Sequence, residues 1–336
     1  MFRNVVAIER ALGTGIIISS SVPIPQRVQK RIRAFVDEYE SVLSRFRADS
    51  LVSRMACAEH GGEFEFPAWA GPLFALYGEF YAATRGAFDA CIGADLLALG
   101  YNNSVQFVPE SAASASSNIG SWANYRRALP VTWGNISRDS SSAALCTNQP
   151  VQLDFGAAGK GYFVDLVTQI IKEDLGSDSP ADFDFLVNAG GDMRACFSEE
   201  NDQIKVALEN PFDTTQAVAV ASIASGALCA SSAARRRWNV KDKNGFESNL
   251  IATHLINALD GIPACDLCAS WAYVPSKTCD FPTAYADALA TALFVSQESD
   301  LQKIVQTTGA EFAVMLPNKT LSKTRAFPAH FFAESI

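Results

Sequence analysis

The amino-acid sequence predicts an α+β protein with mixed, largely antiparallel sheets. Hydrophobic residues make up 49% of the 336 residues and charged residues 19%, which is typical of a globular chain with a large core. Strand-like and helix-like segments are interleaved along the chain. Several short strand-like segments also follow one another directly, which favours antiparallel pairing over a doubly wound parallel sheet. The length suits one large domain or two lobes.

The N-terminal part is predicted to contain a β-hairpin and three helices. Two β-branched runs around a glycine turn predict the hairpin over 3–20. Apolar residues at helical spacing predict a helix over 26–46. Asp49 and Ser50 are suitable caps for a short helix after it, and a second long helix is predicted over 66–85.

The rest of the chain is predicted mainly as strands. Residues 102–121 are rich in Ser, Ala and Asn and predict a flexible surface loop. The same patterns predict short strands over 131–151, strands over 183–188, 204–208, 217–223, 251–257 and 311–316, and helices after 153–161 and over 285–295. The tail at 318–336 has no pattern that predicts a structure.

Charge and hydropathy exclude some classes of function. The net charge of −9 disfavours a nucleic-acid binder, although a bound cation can bridge an acidic protein to a phosphorylated ligand. No run approaches the ~20 apolar residues of a membrane span. Glu9 and Arg10 interrupt what would be the apolar part of a signal peptide, so we expect a cytoplasmic protein. A periplasmic chain that had lost its leader would look the same.

The eight cysteines are dispersed and lie mostly in apolar contexts. We therefore expect small buried thiols in a reducing compartment. Cys265 and Cys268 have the spacing of a metal or redox pair. They lack a second CxxC motif or a nearby histidine, which disfavours a zinc or redox role.

The segment LDFGAAGKGYFVD (153–165) is the strongest local motif. A strand end, three glycines, Lys160 and a helix start follow one another, so backbone N–H groups and a mobile positive charge can face an anion. The spacing is not that of a Walker A loop. The alternative interpretation is a helix start with good turn residues.

Three other features carry possible chemistry. His254 lies in an apolar, strand-like run, where a histidine is more often a core or edge residue than a catalyst. Asp287 and Thr291 are four residues apart on a predicted helix, so their oxygens share one face. Asp287 is alternatively a first-turn acid stabilised by the helix dipole. The arginines at 235–237 indicate a solvated surface patch more than a phosphate contact.

These segments occur in an order that resembles the ApbE family of FAD:protein FMN transferases. The order is Gly13-Thr14, FRADSLVS (46–53), GAFDACIG (86–93), LDFGAAGKGYFVD (153–165), NAGGD (188–192), HLINALDG (254–261) and DALATALFV (287–295). The two specific elements are D-x-G-x-x-x-K-G-y-x-x-D and the D-A-x-x-T helix. The resemblance covers about residues 8–316.

The resemblance implies a fold and an activity. It implies a single ApbE-like domain over 1–336, with two lobes and a flavin cleft between them. Family members bind FAD and, with Mg²⁺, transfer its FMN half to a Thr or Ser hydroxyl of an acceptor flavoprotein, releasing AMP. Some members instead hydrolyse FAD to FMN and AMP. A flavin-binding protein with weakened catalysis is the third alternative.

Residue by residue, the resemblance also implies a site. The implied FAD contacts are Leu12, Phe46, Ala87, Phe88, Asp89, Asp154, Lys160, Asp192 and Ile256. The implied Mg²⁺ ligands are the Ala157 carbonyl and the side chains of Asp287 and Thr291, with the backbone near Ala290 close by. Lys160 would stabilise the leaving phosphate, and either His254 or an acid of the cleft would be the base.

The sequence departs from the family pattern in one segment. The family usually reads H-x-I-D-P-x-T-G, where this chain has HLINALDG (254–261). Asn257 replaces the acid, and an amide cannot take up a proton as a carboxylate can. The proline is missing, and Asp260 is the acid that would have to substitute. Leu12 stands where the family usually has Met.

Overall fold

We describe a computed structural model of the chain, over residues 2–102, 131–138, 142–176, 183–200, 202–241 and 247–332. The loop predicted at 102–121 lies outside these ranges apart from Asn102. The helices are α1 (Gln26–Leu43), α2 (Leu51–Cys57), α3 (Gly71–Ala83), α4 (Gly93–Ala98), α5 (Gly159–Gly176), α6 (Pro282–Ala292) and α7 (Gln302–Thr308). The strands are β1 (Asn4–Ala11), β2 (Thr14–Ser20), β3 (Gly62–Glu65), β4 (Ser137–Arg138), β5 (Ala144–Thr147), β6 (Phe185–Ala189), β7 (Asp192–Cys196), β8 (Ile204–Asn210), β9 (Asp213–Ile223), β10 (Gly226–Ser232), β11 (Arg237–Lys241), β12 (Glu247–Thr253), β13 (Ile256–Asn257), β14 (Ile262–Pro263), β15 (Ala269–Pro275), β16 (Glu311–Met315), β17 (Leu321–Lys323) and β18 (Ala329–Phe331).

An eight-stranded sheet forms the centre of the protein. Its strand order is β1-β2-β6-β7-β10-β15-β16-β17, and every neighbouring pair is antiparallel. Smaller antiparallel sheets are formed by β18-β9-β8, by β3-β5-β4 and by two hairpins. The predicted α+β class with largely antiparallel sheets is confirmed.

Each face of the large sheet covers a different core. On β10, Ala227 and Cys229 belong to the core shared with the helices, whereas Leu228 belongs to the core under β8 and β9. This alternation is the two-residue period of a strand that is buried on both faces. A third, small core includes Tyr101, Trp238 and Ile256.

Close packing of α5 on α6 brings the two specific motifs together. A Cβ added at Gly161 would lie 2.2 Å from the Thr283 carbonyl oxygen, so only glycine fits there. Asp165 on α5 accepts hydrogen bonds from the Thr283 hydroxyl (2.6 Å) and the Arg194 guanidinium (2.9 Å). Burial raises the pKa of Asp165 to about 6, against the opposing effect of Arg194. Asp165, the last residue of the D-x-G-x-x-x-K-G-y-x-x-D motif, therefore anchors α5, α6 and the sheet to one another.

The N-terminal elements follow the sequence predictions closely. The hairpin at 3–20 is β1 and β2. Ser50 caps α2, because its hydroxyl accepts a hydrogen bond from the Ser53 N–H at 3.1 Å. The helix predicted over 66–85 is shorter, since a single 3₁₀ turn precedes α3 and proline stands at the start of α3.

Two predictions need correction, and the tail, for which the sequence predicted no structure, contains strands. The strand expected over 251–257 is two strands, β12 and β13, and His254 lies in the bend between them. Asp287 lies in the second turn of α6 rather than the first, because α6 begins at Pro282. The tail is structured up to 332: β17 pairs with β16, and β18 pairs with β9.

All eight cysteines are free thiols. The expectation of buried thiols is confirmed for Cys91, Cys196 and Cys229. It is wrong for Cys57 and Cys265, which are exposed. In the part of the chain that the structure describes, no helix is both long and apolar enough to cross a membrane.

Candidate active site

One continuous cleft of about 1110 Å³ collects the predicted site residues. It is lined by the turns after β1 and β6, by the segments 43–47 and 87–89, and by the start of α5 and one face of α6. Tyr101 and Ile256 of the small third core also line it. Its volume lies just above the range of about 300–1,000 Å³ that is usual for small-molecule sites, which leaves room for an extended ligand.

Most residues implied by the family resemblance line this cleft. They are Leu12, Phe46, Ala87, Phe88, Asp89, Asp154, Ala157, Lys160, Asp192, His254, Ile256, Asp287 and Thr291. Ala290 is not among the lining residues. It is fully buried, and its carbonyl accepts a hydrogen bond from the Ser270 hydroxyl at 2.6 Å.

Lys160 lies between two buried carboxylates. Its ammonium group forms an ion pair with Asp192, and its Nζ is 3.5 Å from Asp287 Oδ2. Burial alone would lower the pKa of Lys160, but the two carboxylates raise it above its ordinary value. The Lys160 side chain is therefore charged at neutral pH, and 22% of its surface remains exposed to the cleft.

Asp287 is held by the backbone as well as by Lys160. Its Oδ2 accepts a hydrogen bond from the Gly161 N–H at 2.9 Å. Burial and the nearby Asp192 carboxylate raise the pKa of Asp287, while Lys160 and the Gly161 N–H oppose this effect. An additional cation beside Asp287 would stabilise its ionised form.

Neutral oxygens extend the site from Asp287 along α6. Thr291 Oγ1 is 3.5 Å from the Ala157 carbonyl oxygen and 3.1 Å from Ser231 Oγ. Carboxylate, hydroxyl and carbonyl oxygens are the donors that Mg²⁺ prefers, so this set fits the ion. Among the residues described, no group of three or more His, Cys, Asp or Glu could hold a metal. A bound Mg²⁺ would thus rely on few carboxylates.

Arg45 forms a part of the cleft that the sequence did not reveal. Its Nε donates to Asp154 Oδ2 at 2.5 Å, and Asp154 Oδ1 accepts from the Gly156 N–H at 2.7 Å. The guanidinium lies over the rings of Phe46 (4.2 Å) and Tyr101 (4.9 Å). Asp154 therefore braces the loop that carries the Ala157 carbonyl. No periodicity or motif marked Arg45, because its role depends on a partner 109 residues away.

The loop at 87–89 is fixed by hydrogen bonds that its residues accept from backbone N–H groups. Asp89 Oδ1 accepts from the N–H groups of Cys91 (2.7 Å) and Trp133 (3.1 Å). The Ala87 carbonyl accepts from the Ala258 N–H at 3.0 Å, which links this loop to the HLINALDG segment. The Asp89 carboxylate thus shapes the wall of the cleft.

His254 reaches the cleft as a neutral side chain. Its Nδ1 is buried and has no hydrogen-bond partner within the described ranges. Burial, followed by the charges of Arg236 and Lys160, lowers the pKa of His254 to about 3. The imidazole can accept a hydrogen bond or a proton, but its burial and the two neighbouring cations make it a weak base.

Asn257 and Asp260, the two altered positions of the HLINALDG segment, do not line the cleft. Asn257 Oδ1 accepts from the Leu259 N–H at 2.9 Å, and Asp260 Oδ1 accepts from the Ile262 N–H at 2.9 Å. Both side chains stabilise the turn between β13 and β14. Asp260 does not move into the place of the missing acid.

The three arginines at 235–237 are not one surface patch. Arg235 is exposed and forms an ion pair with Glu209, as expected. Arg235 also lines the cleft, together with Arg236, whose Nη1 donates to Tyr101 Oη at 3.2 Å. The available signal was Trp238 two residues later, because alternate residues of an extended segment share a face.

The described residues form an α+β fold with one large cleft, in which charged side chains lie beside apolar ones. Residues 12–316 match the sequence model of the ApbE family, and the chain belongs to this family. The predicted resemblance is confirmed over nearly the same range. None of the curated proteins compared with the chain matches it significantly.

Three solved structures share this fold over almost their whole length. The ApbE protein from Thermotoga maritima has a TM-score of 0.72 at 20% identity, with 96% of this chain and 98% of that chain covered. The flavinyl transferase ApbE from Pseudomonas stutzeri, in its apo form, has a TM-score of 0.68 at 22% identity, with 96% and 95% covered. The flavin transferase ApbE from Vibrio cholerae has a TM-score of 0.67 at 16% identity, with 96% and 97% covered.

Proposed function

We propose that this protein is an FAD:protein FMN transferase. It would transfer the FMN moiety of FAD to a Thr or Ser hydroxyl of an acceptor flavoprotein and release AMP. Membership of the ApbE family supports this activity, as do two similar structures described as flavin or flavinyl transferases. The observation that carries the proposal is Lys160 between Asp192 and Asp287, beside the oxygens of Thr291 and Ala157.

The reaction is a displacement at phosphorus. The acceptor hydroxyl oxygen forms a bond to the phosphorus of the FMN half, and the bond from that phosphorus to the bridging oxygen breaks. AMP leaves with the bridging oxygen, and the hydroxyl proton passes to a base. Lys160 would neutralise charge on the leaving phosphate. Asp287, Thr291 and the Ala157 carbonyl would hold Mg²⁺, which would supply further neutralisation of the pyrophosphate.

His254 is the proposed base, and its environment explains when it would act. In the free protein burial, followed by the charges of Arg236 and Lys160, lowers its pKa. A pyrophosphate bound beside these cations would offset their charge and raise the basicity of the imidazole. Base strength would therefore rise when FAD is bound, which is when a proton must be accepted.

The apolar walls of the cleft would hold the flavin ring. Leu12, Phe46 and Ile256 contribute apolar surface there, and 42% of Phe46 is exposed. The backbone at 87–89 and the glycine turn before Asp192 bring polar groups to the same space. This mixture of apolar walls and a few fixed polar groups is typical of a cofactor site.

One assay separates this proposal from its alternatives. The purified protein is incubated with FAD and Mg²⁺, with and without an acceptor flavoprotein, and AMP and covalently bound flavin are measured. AMP that depends on the acceptor supports the transferase. AMP without the acceptor indicates FAD pyrophosphatase activity. Bound FAD without AMP in either case would reject both enzymatic functions and leave a flavin-binding protein.

A further inference from the structure

The turn between β1 and β2 holds a non-glycine residue in the left-handed region. Leu12 has a φ of 55°, and its partly buried side chain lines the cleft. A leucine is strained in this region, because its Cβ approaches the following carbonyl oxygen. Strained residues persist where surrounding groups hold them, and they concentrate at binding sites. Something in the structure must therefore stabilise Leu12.

The group that holds Leu12 is the carboxylate of Glu40. Glu40 lies in the last turn of α1, and its Oε1 accepts a hydrogen bond from the Leu12 N–H at 2.6 Å. A hydrogen bond to an ionised acceptor is stronger than one between neutral groups. Glu40 is partly buried and lines the same cleft. Helix α1 thus fixes a turn that lies 28 residues earlier in the chain.

The turn at Leu12 packs against the turn after β6, which leads to Asp192, the ion-pair partner of Lys160. A Cβ added at Gly190 would lie 2.5 Å from Thr14 Oγ1, so the turn after β1 touches the turn after β6. Asp192, which pairs with Lys160, begins β7 two residues after Gly190. The turn at Leu12 and the turn after β6 therefore form adjoining parts of one wall of the cleft.

We infer that Glu40 is a positioning residue for flavin binding. Its carboxylate holds Leu12 in the left-handed conformation, so that the leucine side chain and the turn after it form a ready-made wall for the flavin ring. This inference rests on the proposed function, in which Leu12 packs against the flavin. Glu40 acts through Leu12 and does not touch the reacting phosphate, so its loss should weaken FAD binding and spare the chemical step.

The test compares Glu40→Ala and Glu40→Gln with a carboxylate of the same helix. Glu38 accepts a hydrogen bond from Trp69 Nε1 at 2.8 Å and is not among the residues that line the cleft, so Glu38→Ala is the matched control. FAD affinity is measured by quenching of flavin fluorescence, and KM and kcat by AMP release. We expect Glu40→Ala to raise Kd and KM about tenfold with kcat within about twofold. Glu40→Gln keeps an acceptor oxygen and should lose less, and Glu38→Ala should bind FAD as the wild type does.

A second variant tests the strain itself. Glycine adopts a φ of 55° without strain, so in a Leu12→Gly background Glu40→Ala should change the Kd by less than about twofold. Equal effects of Glu40→Ala in the two backgrounds, or wild-type FAD binding by Glu40→Ala, would overturn the inference while leaving the proposed function intact. Wild-type protein that neither binds FAD nor releases AMP would instead overturn the proposed function, and the inference with it.

Discussion

The carboxylate of Asp287 accepts a hydrogen bond from the backbone N–H of Gly161, at 2.9 Å and across 126 residues of sequence. This contact joins the first turn of α5 to the second turn of α6. It leaves no room for a side chain at position 161, where a Cβ would also lie 2.8 Å from the Asp287 Cβ. The metal-binding face proposed for α6 therefore depends on how closely α5 approaches it.

Gly161→Ala should destabilise the protein and Gly159→Ala should not. The new methyl group at 161 would meet the Thr283 carbonyl oxygen at 2.2 Å and force the helices apart, at a cost of about 3 kcal/mol. At 159 the nearest atom outside the local chain is Tyr39 Oη at 3.6 Å, and the change should stay within about 0.5 kcal/mol. Urea unfolding of both variants measures this difference. Similar losses at the two positions would contradict the packing described.

Arg45→Met should destabilise the cleft, whereas Arg47→Met should have little effect. The side chains of Arg45 and Asp154 are 6% and 14% exposed, so removing one partner leaves a charge without compensation, at about 3 kcal/mol. Arg47 pairs with Asp37 and Asp49, whose side chains are 78% and 70% exposed. Pairs of that kind contribute little to stability, because water and salt screen them. Unfolding free energies of the two variants check both expectations, and equal losses would argue against the brace at Asp154.

The stability of the protein should depend on pH through His254. The pKa of His254 is lowered to about 3 from 6.5, so between these values the unfolded chain binds the additional proton. The stabilisation is present above pH 6.5 and is lost as the pH falls, by up to ~1.4 kcal/mol per pH unit. We expect wild type to lose stability more steeply than His254→Gln between pH 6.5 and 4.5. His330→Gln, on the exposed part of β18, is the control, and parallel curves for wild type and His254→Gln would disprove the assignment.

Asn257→Asp should change turnover by no more than about two- to threefold, because substitutions away from a site shift free energies by about 0.5 kcal/mol. Both side chains can accept the Leu259 N–H in the turn after β13, and position 257 does not line the cleft. The family acid at this position is then dispensable in this chain. A gain of tenfold or more in AMP release by Asn257→Asp would show that the acid contributes directly to the chemistry.

Local patterns predicted the elements of the fold better than their ends. The hairpin β1–β2, the Ser50 cap and the buried strands depend on neighbouring residues, so period and turn chemistry were sufficient. The strand at 251–257 was placed as one element because its β-branched residues continue through His254. The tail strands were missed since β17 and β18 are only three residues each and are stabilised by distant partners.

The residues of the candidate site also fall into two groups, those that local patterns predicted and those that they did not. Lys160, Asp287 and Thr291 lie in motifs whose spacing is visible in the sequence, and the cleft brings them together. Arg45 and Glu40 lie in no motif, and their roles come from Asp154 and Leu12, which are far away in the chain. Sequence reasoning detects groups that chemistry requires at fixed spacing. It does not detect the partners that hold those groups in place.

The most direct test of the transferase is the mass of an acceptor flavoprotein after incubation with this protein, FAD and Mg²⁺. We predict an increase of one FMN less one water, with one AMP released for each acceptor modified. Asp287→Asn should abolish both while leaving the unfolding transition cooperative, because it removes the carboxylate charge beside Lys160 and the proposed ion. An acceptor of unchanged mass with wild-type protein, or the same increase with Asp287→Asn, would contradict the account.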